Sequence, residues 1–245
     1  LAVDPSSPFS GGALLGDRIR MQRHALDPDV FIRSLATRGA LGGLSRAIGD
    51  SLTVMDSMGK DYILIETVGI GQQEVDIMDH AHTVLVVLVP GMGDAVQTIK
   101  AGVMEIADIF VINKADRDGA DAMCTEINNM LDMALGCDAA GWRPPVVKVG
   151  NVNNEAEFMR GIEETVFAVV EHRKYLKLSG LMETKKLRKA ENEFNAALKA
   201  CILEPIYEKL VSEGTLRHVI QEVADKTSDP YSAAEFIAQK HLILD

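Results

Sequence analysis

Ile109-Phe110-Val111-Ile112-Asn113-Lys114-Ala115-Asp116 runs from four apolar residues straight into Asn-Lys-x-Asp. The apolar half has the length and β-rich composition of a strand buried on both faces. The polar half sets a carboxylate, Asp116, just past the strand's carboxyl end. A carboxylate there can accept two hydrogen bonds together, from N1–H and the N2 amino group of guanine. Adenine offers no such donor pair and would leave the acceptor unpaired, which costs binding energy. The Lys114 stem can lie along a ring plane, and Asn113 can brace the loop. The competing reading is an ordinary polar turn between strand and helix.

The same phrase occurs upstream, where Tyr62-Ile63-Leu64-Ile65 leads into Glu66-Thr67-Val68-Gly69. A carboxylate at a strand end can hold a water of Mg²⁺. A glycine three residues on lets a backbone N–H approach a terminal phosphate. A chance acidic turn is the plain alternative. Strands are expected at residues 1–3, 30–33, 62–67, 83–89, 109–113 and 145–149. Between them, Leu41, Leu44, Ile48, Leu52 and Met55 fall on one helical face, as do Val96, Ile99, Val103 and Ile106. This alternation predicts an α/β fold, with a mainly parallel sheet flanked by helices and right-handed crossovers. Ligands of such sheets sit at the carboxyl ends of the strands.

From about Asn151 the pattern is helical only. Phe158, Ile162 and Val166 recur every four residues; Ser179-Gly180 reads as a break, and a long helix follows from Leu181. Pro205 is expected to kink or end it, because proline removes a backbone donor. Gly214 reads as a helix end, Thr215 as the next cap, and Asp229-Pro230 as a cap and first residue. The division expected is a sheet domain over residues 1–172 and a helical arm over residues 173–245. Phe194 and Leu198 lie on the arm's apolar stripe.

The formal net charge of −11 argues against a general nucleic-acid binder. No apolar run approaches the ~20 residues that span a bilayer, so no membrane partner is expected. Cys124, Cys137 and Cys201 form neither a zinc pattern nor a disulfide framework, which fits a reducing compartment, the cytoplasm. The segment Asp4-Pro5-Ser6-Ser7-Pro8, continuing through Gly11-Gly12 and Gly16-Asp17-Arg18, is most simply a mobile loop. Its two carboxylates, Asp4 and Asp17, leave open a ligand-ordered switch.

Five stretches in order resemble the MeaB/ArgK family, the GTPase chaperones of adenosylcobalamin-dependent acyl-CoA mutases such as methylmalonyl-CoA mutase. They are L-A-V-D-P-S-S-P with G-G-A-L-L-G-D-R-I-R-M, R-G-A-L-G-G-L, E-T-V-G-I-G-Q-Q-E-V, P-G-M-G-D with Q-T-I-K-A-G-V-M-E-I-A-D, and N-K-A-D. H-R-K-Y-L, S-G-L-M and the helical tail are similar, less specifically, to that family's dimerisation arm.

The resemblance implies a P-loop GTPase fold, GTP/GDP and Mg²⁺ as ligands, a homodimer, and a mutase client. Residue by residue, it implies Glu66 as the Mg²⁺-side carboxylate and Gly69 as the sensor of the terminal phosphate. Gln72 would lie in the second switch, where it could orient water. Asp4 and Asp17 would be metal or switch residues, and Asn113, Lys114 and Asp116 the base readers.

The sequence departs from the family twice. The family's Gly-rich phosphate loop belongs before residue 1, so the chain as it stands is expected to be incomplete at its amino end and to bind nucleotide poorly. Where the family has a Ser-Ala pair beside the base stands Val146-Val147-Lys148-Val149-Gly150, of which Val149 and Gly150 retain backbone groups for contact. Two other classes stay open: a nickel-enzyme metallochaperone GTPase, and a non-catalytic dimerisation module. The first calls for Cys/His clusters, and His80 and His82 are the one close His pair. The family's older label, a kinase of lysine/arginine/ornithine transport, finds no supporting residues.

Overall fold

Val111 lies at the centre of the better-packed half of the molecule, on a strand whose first four residues are all buried. The computed structural model describes residues 1–4, 21, 24, 26–36, 43–67, 80–91, 106–135 and 141–241. In chain order these form β1 (Ala2–Asp4), β2 (Ser34–Ala36), α1 (Gly43–Ser57), β3 (Glu66–Thr67), β4 (Leu85–Leu88), β5 (Ile109–Asn113), α2 (Ala120–Leu135), β6 (Val146–Val149), α3 (Glu155–Leu178), α4 (Leu181–Ser212), α5 (Thr215–Ala224) and α6 (Pro230–His241).

Every strand pair is parallel, as the alternating pattern predicts. Among the described residues the strands form two three-stranded sheets, ordered β2-β1-β3 and β4-β5-β6, where one sheet was expected. In the first, Val3 pairs with Leu35 and Thr67; in the second, Leu88 pairs with Ile112 and Asn113 with Val149.

Alternation along β5 sorts its side chains onto two faces. Phe110 and Ile112 join Met123, Ile127 and Leu131 of α2. Ile109 and Val111 join Ala168 of α3, with Phe158 and Ile162 against them. Truncating Phe110 to Ala would cost about 3–5 kcal/mol at such a fully buried position. In the first sheet Val3 packs with Ile48 and Leu52 of α1, two members of the expected helical stripe. The expected stripe from Val96 to Val103 lies outside the described residues. Val166, grouped with Phe158 and Ile162 by spacing, is instead exposed.

The second strand begins at Ser34, beyond the expected residues 30–33. Turn chemistry explains the shift. Asp27 accepts the Asp29 N–H on its Oδ1 and the Val30 N–H on its carbonyl, so Val30's donor is already used. The third strand keeps only Glu66 and Thr67 in its ladder.

At the amino ends of β4, β5 and β6 lies a polar cluster. His172 is 1% exposed; its Nδ1 is 2.9 Å from Thr83 Oγ1 and its Nε2 3.3 Å from Asp108 Oδ1. The second Asp108 oxygen accepts the Val84 N–H, and Lys185 Nζ lies 3.6 Å from it. Trp142 donates its indole N–H to the Asp108 carbonyl and packs its ring against His172 and Tyr175. Trp142 and Asp108 thus tie the approaches to β5 and β6 to α3.

Gly180, at φ +76°, turns the chain between α3 and α4 where a break was expected. The molecule divides into two units, Leu1–Lys189 and Ala190–Asp245. Within the second, Pro205 lies inside α4; of the two outcomes expected there, a kink or an end, the end does not occur. Proline leaves the carbonyl four residues back without its helical donor, and that residue, Cys201, is exposed to water. The cap of α5 is Gly214, at φ +71°, and Thr215 is the first helical residue, not the cap. Asp229 caps α6 as expected: its Oδ1 accepts the N–H groups of Tyr231 and Ser232, both at 3.0 Å. A hydrogen bond from the Ser232 side chain first, then these backbone bonds, hold its carboxyl below the usual range. No helix among the described residues is long and apolar enough to cross a membrane.

Candidate functional site

The loop after β5 is built by its own polar atoms. Asn113 Oδ1 accepts the Lys114 N–H at 2.8 Å, and the Lys114 carbonyl accepts the Arg117 N–H at 3.0 Å. Lys114 is held at φ +56°, a left-handed conformation that costs a non-glycine residue about 1–3 kcal/mol. The next amide, Ala115 N–H, reaches across to the Val149 carbonyl at 2.9 Å, continuing the parallel ladder one step past the strands. Asp116, exposed, then lies beside the loop that leaves β6: Asn151 Nδ2 is 3.4 Å from its Oδ2.

Val149 and Gly150 are both buried. A Cβ on Gly150 would meet Glu157 Cγ at 2.9 Å, so the loop admits no side chain there without displacing Glu157. Lys148, just before them, bonds Asp121 in the first turn of α2. This exposed pair lowers the Asp121 carboxyl and raises the Lys148 amine.

Asn113, Lys114, Asp116, Val149 and Gly150 therefore share one edge, at the carboxyl ends of β5 and β6. A carboxylate beside buried backbone and exposed to solvent has the chemistry to accept a guanine's paired donors.

The other expected residues belong to the first sheet or lie outside the described residues. Glu66 is exposed in β3, and its N–H donates to the Leu1 carbonyl at 2.8 Å. It pairs with Ala2, so along the parallel strands Asp4 stands two positions further on, roughly 7 Å. The backbone of Asp4 closes β1; its side chain lies outside the described residues, as do Asp17, Gly69 and Gln72. Carboxylate oxygen is the donor that Mg²⁺ prefers. No group of three candidate metal ligands gathers among the described residues; of the carboxylates expected on a metal side, Glu66 is the one whose side chain lies within them.

Two contributors escaped sequence reasoning. Asn151 and Glu157 carried no motif of their own; the one available signal was that residues 146–150, just before Asn151, stand where the family has Ser-Ala.

Parallel strands flanked by helices, with Asn-Lys-x-Asp at the end of the buried central strand, define a nucleotide-binding α/β protein of the GTPase class. A family model described as methylmalonyl Co-A mutase-associated GTPase MeaB matches residues 1–211. A Pyrococcus abyssi protein provisionally named a GTPase is 51% identical over 241 residues, 98% of this chain and 72% of that protein. The mouse mitochondrial methylmalonic aciduria type A homologue is 40% identical over 158 residues, 63% of this chain and 38% of that protein. A crystal structure described as an LAO/AO transport system kinase shares the fold, with a TM-score of 0.62 at 21% identity over 97% of this chain and 70% of that one. The chain belongs to the MeaB family of GTPases.

Proposed function

We propose that this protein binds and hydrolyses GTP as a switch that serves a cobalamin-dependent acyl-CoA mutase, loading or protecting its cofactor. One observation carries the guanine part: Asp116 stands beside Asn151 on a loop lashed to β6 by the Ala115–Val149 hydrogen bond. Asp116 reads the base edge, Asn113 shapes the loop, and the Lys114 stem covers the ring. Val149 and Gly150 bound the pocket with backbone. Glu66 holds the Mg²⁺ side together with Asp4 and Asp17, Gly69 meets the terminal phosphate, and Gln72 orients water. The bound Mg²⁺ supplies charge neutralisation at the phosphates.

The mutase assignment is supported by the description of the matching family. A homodimer is supported by the second unit, where Phe194 is 65% and Leu198 45% exposed on one helical stripe. The cytoplasm is the compartment that scattered cysteines fit.

Calorimetry on the full-length protein tests the central claim. GDP should bind and ADP should not. Asp116→Asn should weaken GDP binding by about 1–3 kcal/mol, because ligand donors lose an acceptor. Equal affinity in variant and wild type would overturn the base assignment.

A further inference from the structure

We infer that Asn151 is a positioning residue for guanine recognition, acting through Asp116. The inference rests on the proposed reading of Asp116 as the base-facing carboxylate.

A carboxylate on an exposed loop rotates about its side-chain torsions unless something holds it. Accepting two parallel donors requires one orientation of its plane, and every other orientation subtracts from affinity. Asn151 Nδ2 stands 3.4 Å from Asp116 Oδ2, a long contact suited to guiding the carboxylate while leaving its acceptor capacity for a ligand.

The direction of the Asn151 amide is set by its other end. Its Oδ1 accepts the Asn153 N–H at 3.1 Å, an Asx turn that keeps the donor end toward Asp116. The backbone on either side is fixed as well. Val149, two residues before, receives the Ala115 N–H, and the Asn151 carbonyl receives the Asn154 N–H at 2.9 Å.

Gly150 explains why the donor comes from position 151. Glu157 fills the space that a side chain at 150 would need, and Asn154 Nδ2 holds Glu157 Oε2 at 2.9 Å. A hydroxyl-bearing residue at 150 would collide with that carboxylate. The first side chain able to reach Asp116 from β6 is Asn151.

A double-mutant cycle on the full-length protein, read as GDP affinity by calorimetry, tests this. Asn151→Ala should weaken GDP about fivefold, the net worth of one typical hydrogen bond, with the melting temperature unchanged. In an Asp116→Ala background the same substitution should change GDP affinity by less than about twofold, because the group it positions is gone. Asn151→Gln should recover part of the loss. Unaltered affinity in Asn151→Ala, or an equal loss in both backgrounds, would overturn the inference while leaving Asp116 as base reader. If Asp116→Ala itself leaves GDP affinity intact, the base-reading proposal fails, and the inference falls with it.

Discussion

The Nε2 of His172 lies 3.3 Å from Asp108 Oδ1, inside a cluster that joins the amino ends of β4 and β5 to α3. Burial holds the ring's pKa below its ordinary value, the nearby Lys185 pushes the same way, and Asp108 opposes both. His82 is lowered too, by burial and by Lys189, Lys185, Arg173 and Lys186 around it.

The sign of the pH effect follows. In the unfolded chain these rings take up protons as pH falls below about 6.5, whereas the folded chain resists. Their contribution to stability is intact above that value, declines as pH drops below it, and levels off under the folded-state pKa. Thermal melts from neutral pH down to mildly acidic pH should show this loss, and His172→Gln should reduce it. Asp121 and Asp229, with lowered carboxyls, lose their contributions only in more acidic solution. A melting temperature that is flat through the histidine range would contradict the assignment.

Gly161 packs α3 directly against the backbone of β6. A Cβ there would meet the Lys148 carbonyl oxygen at 2.6 Å and Val149 Cα at 2.9 Å, backbone atoms that cannot rotate away. Gly161→Ala should destabilise by about 1–3 kcal/mol, the usual cost of overpacking. For Gly150→Ala the nearest atoms are those of the Glu157 side chain, which can move, and the cost should be less. Urea denaturation of both variants checks the order; equal stability would mean that α3 lies further from β6.

Glu66→Gln keeps the side chain's shape and removes its charge. If Glu66 acts on the Mg²⁺ side as proposed, GTP turnover should slow and need more Mg²⁺, with GDP affinity less affected. Steady-state hydrolysis across a Mg²⁺ titration decides it; normal turnover at low Mg²⁺ would remove Glu66 from the metal side.

Phe194 and Leu198 stand one turn apart and exposed on α4. Replacing both with Glu should convert the proposed dimer to a monomer while the sheet-bearing unit keeps its melting transition. Light scattering reads the mass directly, and a monomeric wild type would refute the dimer.

Strand β5 and its loop were legible because burial on two faces writes a continuous apolar run and the loop follows it without a gap. The α1 stripe of Ile48, Leu52 and Met55 was legible for the matching reason, period 3.6 with one covered face. Local turn chemistry hid β2, since Val30 and Phe31 look like strand residues until Asp27 takes Val30's donor. At Pro205 the sequence left a kink and an end both open, and α4 runs on past it. Asn151 with Asp116, and His172 with Thr83 and Asp108, are separated by 35, 89 and 64 positions in the chain. Contacts at such range leave no local pattern to read.

Lys114's left-handed backbone, fixed by Asn113 and followed by the Ala115–Val149 bond, has a thermodynamic consequence for association. The folding reaction has already met the entropic cost of ordering this edge, so a base that binds there as proposed finds a preorganised surface. Such an edge can anchor a nucleotide, but it has little motion left with which to report which nucleotide has arrived. Discrimination between triphosphate and diphosphate must therefore be signalled by parts of the chain other than the β5–β6 loops.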